Sequence, residues 1–208
     1  MNRFRLTIVA LLVLGLGALG VAGFGMLSGQ KPVTSRKIES AYQIGGPFAL
    51  TDQEGRPQTE ALLKGKWTAV FFGFTYCPDI CPLTLQSLDQ TRQKLKADIG
   101  ADADRLQFVF ITVDPERDTP EAMKAYLSSG GFPKGVIGLT GTPEQIAAVA
   151  KAYRVTYQKV GDGPDYTMNH TSVVYLMNPD GQFAEPLAHG LPPEKAADIV
   201  RQAMQAYK

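Results

Sequence analysis

The chain is short of the side chains that carry most thiol and metal chemistry, with two cysteines and two histidines in 208 residues. Two cysteines allow one disulfide or one small metal site and exclude a disulfide scaffold. A surplus charge of one sign is also missing: 21 Lys and Arg against 20 Asp and Glu leave a net charge of +1. That balance gives no electrostatic grip on a polyanion, so no nucleic-acid partner is expected. There is no phosphate-binding loop, no Ser/His/Asp set, no paired glycosidase carboxylates and no internal repeat. The residues around Thr75 do not supply the Pro-x-x-x-Thr-x-x-Cys loop of a peroxiredoxin. The length suits one globular domain of roughly 150–200 residues.

The N-terminus carries an address. Arg3 and Arg5 precede an uncharged run over residues 6–27, and Lys31, Arg36 and Lys37 follow it. A helix needs about 20 apolar residues to cross a bilayer, and this run meets that length. A cleaved signal peptide is the alternative, with Gly20-Val21-Ala22 as its small-x-small site. No cysteine stands at a lipobox, which excludes a lipoprotein. The expected organisation is a basic segment over 1–5, a transmembrane anchor over 6–27, a polar linker over 28–39 and one domain over 40–208. The basic residues ahead of the run favour an N-terminus inside. The domain is therefore expected to face the periplasm from a single-pass inner-membrane anchor.

Within the domain, Gly45–Leu50 reads as a short strand and Asp52–Arg56 as a turn, with Gly55 at positive φ. The run 68–73 is apolar on both faces, which suits the centre of a covered sheet. Residues 83–95 read as an amphipathic helix, and 106–113 as a second core strand. Thr119-Pro120-Glu121 and Thr142-Pro143-Glu144 each open a helix, and 135–139 is a short strand between them. A polar loop is expected over 161–169. Strands at 172–177 and 182–184 flank the turn Asn178-Pro179-Asp180-Gly181, and a last helix runs from Pro193 to near Tyr207. This order predicts an α/β fold: a central mixed sheet flanked by helices, in the thioredoxin arrangement.

Both cysteines fall in Phe72-Gly73-Phe74-Thr75-Tyr76-Cys77-Pro78-Asp79-Ile80-Cys81-Pro82, between the central strand and its helix. Three intervening residues put Cys77 and Cys81 at i and i+4, close enough for one metal or, with adjustment, a disulfide. Thioredoxin-type oxidoreductases use a spacing of two. Asp79 is a candidate N-cap, and a helix N-terminus stabilises thiolate. That activation serves disulfide attack and metal binding alike. A structural bridge closing so short a loop would restrict the unfolded chain little. His170, just before the strand 172–177, is expected beside the cysteine loop. Two thiolates and one imidazole suit copper, Cu(I) through sulfur and Cu(II) through nitrogen, and zinc accepts the same donors. His189 is expected to be exposed and without a site role.

These segments resemble the Sco/SenC family of membrane-anchored copper proteins. The resemblance covers the chain from about Gly45 to its end, together with the anchor. It rests on the cysteine segment, on Val113-Asp114-Pro115-Glu116-Arg117-Asp118-Thr119 and on Tyr166-Thr167-Met168-Asn169-His170-Thr171. It implies a thioredoxin-like fold in which Cys77, Cys81 and His170 bind one copper ion, Cu(I) or Cu(II). It also implies that copper goes to the binuclear copper centre of a cytochrome oxidase, with the copper-bearing subunit as partner. A second copper chaperone or a thioredoxin-like reductant is a further expected partner. The other implied role is reduction of the acceptor's cysteines. A redox or copper sensor is a third reading. One departure stands out: Asn169 occupies the place where the family commonly has Asp, which puts the orientation of the imidazole in question. Asp114 and Asp118 read equally as a loop supporting the site and as a solvated turn.

Overall fold

The computed structural model describes residues 43–129 and 131–207. The expected basic segment, anchor and linker lie outside the described residues. Among the described residues no helix is long and apolar enough to cross a membrane.

The strands are β1 (Ala49–Asp52), β2 (Pro57–Thr59), β3 (Trp67–Gly73), β4 (Leu106–Thr112), β5 (Ile137–Thr140), β6 (Tyr157–Val160), β7 (Thr167–His170), β8 (Val173–Met177) and β9 (Phe183–Ala188). The α-helices are α1 (Ile80–Ile99), α2 (Pro120–Leu127), α3 (Pro143–Ala152) and α4 (Pro193–Ala206). Seven strands form one sheet in the order β2-β1-β5-β4-β3-β8-β9. The pairs β3/β4 and β4/β5 are parallel, whereas β3/β8 and β8/β9 are antiparallel. The expected mixed sheet is present.

Every residue of β3 is buried, because helices cover both sides of the sheet. On one face Phe71 and Phe110 meet, and Phe110 contacts Tyr126 of α2. On the other, Phe72 and Tyr175 pack against Tyr153 at the end of α3. Trp67 starts β3 and packs edge-on against Tyr207 after α4. Thr119 and Thr142 cap α2 and α3 as expected, and the second forms a full capping box with Gln145. The Asn178–Gly181 turn also forms, with Gly181 at φ 70°.

Three readings need correction. Helix α1 starts at Ile80, earlier than the apolar periodicity suggests, so Cys81 lies in its first turn while Cys77 lies outside it. Asp79 stands at the N-cap position but its side chain makes no capping hydrogen bond. Residues 167–170 are not loop: β6 and β7 pair into a separate two-stranded sheet, with His170 opposite Tyr157. The polar composition of 157–170 hid this hairpin, since its outward residues are solvated and its inward ones few.

Gly73 ends β3 where the sheet meets the cysteine helix. A Cβ there would stand 2.7 Å from Phe110 Cε2 and 2.8 Å from Cys81 Sγ. Gly73→Ala is expected to destabilise the protein by about 1–3 kcal/mol through overpacking, read as a lower denaturant midpoint at unchanged slope.

Candidate metal centre

Strands β3 and β4 run parallel, so the loops leaving their C-terminal ends lie side by side. The first loop carries the cysteines and the second carries Asp114 and Asp118. Val113 N donates to Gly73 O at 2.8 Å, which continues the pairing to the edge. Asp118 is fully buried and joins the two loops. Its Oδ2 accepts from Thr75 N at 3.1 Å and from Thr112 Oγ1 at 2.6 Å, and its Oδ1 accepts from Thr75 Oγ1 at 2.6 Å. Burial pushes its pKa up, against the pull of these donors. Asp114 is buried as well, accepting from Tyr166 Oη and Arg117 Nε at 2.6 Å each. The solvated-turn reading of this loop is therefore wrong.

The two thiols are free and stand in different settings, Cys77 half-buried and Cys81 fully buried. Cys81 N donates to Cys77 Sγ at 3.4 Å, so the sulfur takes the capping place that Asp79 leaves vacant. Cys77 is held far below the ordinary thiol range, first by the Cys81 thiol donating to it and then by the amides of Cys81 and Asp79. Cys81 is pushed up by that same donation and by burial. The pair therefore shares one proton, with the charge on Cys77.

His170 Nε2 lies 3.8 Å from Cys81 Sγ. Its Nδ1 lies 3.0 Å from Thr171 O, a contact that requires Nδ1–H as donor and leaves the Nε2 lone pair facing the thiols. The ring is wedged edge-on between Phe71 and Phe74, at 6.2 and 5.9 Å. Asn169 is exposed and, as the neighbour of His170 in a strand, faces the other way. The orienting acceptor is thus a backbone carbonyl, and the missing carboxylate at 169 is not needed for it. His189 is exposed as expected, near Thr84 Oγ1 at 3.2 Å.

Among the described residues no group of three or more His, Cys, Asp or Glu side chains already stands at metal-holding spacing. The Cys81–His170 pair does fit a bridging ion. Bonds of the lengths zinc makes, about 2.3 Å to sulfur and 2.0 Å to nitrogen, meeting near 120° put the donors about 3.7 Å apart. Cys77 adjoins Cys81 through the amide hydrogen bond and is only half-buried.

Sequence reasoning missed Thr75, Tyr76, Arg117, Tyr166 and Thr171, which hold these groups in place. The i, i+3 spacing of Asp114 and Arg117 was a usable signal for a local ion pair; the backbone carbonyl of Thr171 left none.

The molecule is a thioredoxin-like domain with a dithiol and an imidazole gathered at one edge of its sheet. A family model described as SCO1/SenC matches residues 36–205. The chain belongs to the SCO1/SenC family. Protein SCO2, mitochondrial, of Saccharomyces cerevisiae is 37% identical over 214 residues, which span 99% of this chain and 68% of that protein. Among solved structures, Arabidopsis thaliana ScoI with copper bound is 42% identical at a TM-score of 0.73, over 79% of this chain and 99% of that one. Bradyrhizobium japonicum ScoI with copper bound is 49% identical at a TM-score of 0.67, over 76% of this chain and 98% of that one. BsSco is described as a member of the Sco family of cytochrome c oxidase assembly proteins in which a disulfide switch was identified. It is 26% identical at a TM-score of 0.62, over 80% of this chain and 96% of that one.

In the metal-free reduced protein, iodoacetamide is expected to modify Cys77 and spare Cys81. An ordinary thiol loses about tenfold in rate per pH unit below about 8.5. Cys77 stays thiolate well below that range, so its rate should remain nearly flat from pH 8 to pH 5. Stopped alkylation with peptide mass analysis reads both outcomes.

Proposed function

We propose that this protein is a membrane-tethered copper metallochaperone that uses Cys77, Cys81 and His170 as ligands. The observation that carries the reading is the 3.8 Å approach of His170 Nε2 to Cys81 Sγ, with Nδ1 anchored on Thr171 O. A cysteine helix needs no imidazole for thiol exchange, whereas a metal gains from a third donor. Copper is the preferred ion because two thiolates hold Cu(I) and imidazole suits Cu(II). Copper-bound relatives of 42% and 49% identity support the same choice.

Copper here is cargo, delivered to the binuclear copper centre of a cytochrome oxidase. Description of a related protein as a cytochrome c oxidase assembly protein supports that destination. The apolar run over 6–27 and the basic residues before it support anchoring in the inner membrane with the domain in the periplasm. Transfer proceeds by ligand exchange. An acceptor thiolate adds to the ion, Cys77, the more accessible of the two sulfurs, leaves first, and the other donors follow; no electron moves in these steps. A Cys77–Cys81 disulfide offers no dithiolate, so oxidation of the pair closes the site to cargo.

A second reading has its own support. The stabilised thiolate of Cys77 suits attack on an acceptor disulfide, with Cys81 as resolving thiol. In that reading the protein reduces the acceptor's copper-binding cysteines and needs no metal.

Copper titration of the reduced protein is expected to show one tightly held ion. Cys77→Ser, Cys81→Ser and, for Cu(II), His170→Ala should each weaken it by more than the about 10- to 100-fold typical of disturbing an outer contact. Retention of no copper by the native protein would refute the reading. Asn169→Asp, by contrast, should change affinity by less than about 10-fold, because the ring is oriented by Thr171 O. Oxidase assembly in cells separates the two roles: delivery requires His170, whereas reduction survives His170→Ala and fails in Cys77→Ser.

A further inference from the structure

The imidazole sits on a hairpin that has no ladder to the main sheet, since β6 and β7 pair only with each other. The chain ties the His170 end of that hairpin to the sheet, since Val173 opens β8 three residues later, so side chains are left to hold the other end of β7, at Tyr166. Arg117 reaches both sides. Its Nε donates to Asp114 Oδ2 at 2.6 Å, and its Nη1 donates to Tyr166 O at 2.9 Å and, more weakly, to Pro164 O at 3.4 Å. The guanidinium carbon lies 3.6 Å from the Tyr166 ring centroid and 4.5 Å from that of Tyr76. Tyr76 is the chain neighbour of Cys77, and Tyr166 immediately precedes β7, which ends at His170.

One planar cation thus touches the cysteine loop and the root of the histidine strand at once. Its side chain is only 14% exposed, so its ion pair with the buried Asp114 escapes most solvent screening. The other charged link, Lys159 to Glu116 at 3.0 Å, joins side chains 47% and 63% exposed and contributes little. Lysine at 117 would keep the charge but lose the flat face and the fork that serves two acceptors.

We propose that Arg117 is a positioning residue that sets the reach of His170 to Cys77 and Cys81, and so decides whether the site presents three donors or two. The proposal rests on the copper reading above and extends it to oxidation state. With the clamp closed, the imidazole is present and Cu(II) is accepted. With it released, the dithiolate remains, which suffices for Cu(I).

The test compares the full chain in detergent with Arg117→Ala, Arg117→Lys and Lys159→Ala. In the metal-free proteins, amide hydrogen exchange should quicken over residues 157–170 in Arg117→Ala and stay unchanged in β3, β4 and α1. Cu(II) affinity should fall about 10- to 100-fold, the range for loss of a partner that orients a ligand. The nitrogen hyperfine splitting in the Cu(II) spectrum should weaken with it, while Cu(I) affinity changes far less. Arg117→Lys should lie between native and Arg117→Ala, and Lys159→Ala should match native. Equal losses of Cu(I) and Cu(II), or an unaltered Cu(II) spectrum, would overturn the proposal. Should Arg117→Ala fail to fold, Arg117→Lys carries the same comparison. If the native protein takes no copper, the copper reading falls alone: quickened exchange confined to 157–170 still upholds the clamp, and unchanged exchange removes it.

Discussion

A carboxylate buried without solvent survives only when its oxygens are filled with donors, and Asp118 shows that constraint at work. Thr75 supplies two donors and Thr112 a third. The carbonyl of Asp118 also accepts from Thr140 Oγ1 at 2.7 Å, which ties the same residue to β5. Because the group cannot be left unpaired at low cost, Thr75 cannot swing away, and the chain from Phe74 to Cys77 is fixed with it. Cys81 is fixed separately, by the helix and by the close floor at Gly73. The two thiols are therefore presented by a frame assembled before any ligand arrives.

The frame makes the two sulfurs unequal. Cys77 is capped by an amide, partly wet and charged, whereas Cys81 is dry and retains the proton. An incoming group meets Cys77 first, and Cys81 faces the imidazole. Order of access is thus written into burial rather than into any difference between the side chains. The histidine lies at the end of the β6–β7 hairpin, joined to the frame by the chain running on into β8, by Arg117, by Tyr166 and by the aromatic walls around its ring.

Much of this was readable in the chain. The apolar run of β3, the threonine-proline helix starts and the Asn-Pro-Asp-Gly turn are local signals whose physics does not depend on distant residues. The pairing of Cys77 with Cys81 is equally local. His170 was reachable because its segment resembles a known signature, not because its spacing announces a ligand. What stayed hidden depends on long-range burial. Asp114 and Asp118 are polar residues in a proline-flanked loop, and only the fold reveals that they are inside it. The hairpin escaped because its strands show little apolar alternation. Asp79 misled for a related reason: the cap is a sulfur, which residue preferences for helix starts do not weigh.

One residue far from this chemistry has a practical meaning. Trp67, the sole tryptophan, is buried at the start of β3 against Tyr207. Seven strand residues at about 3.3 Å each carry the chain some 20 Å before the cysteine loop begins. The molecule's brightest intrinsic fluorophore is thus set in the core at one end of the strand, and its sulfur chemistry at the other. Emission from this protein is a gauge of whether the C-terminal segment stays docked, and the events at the thiols pass largely outside its view.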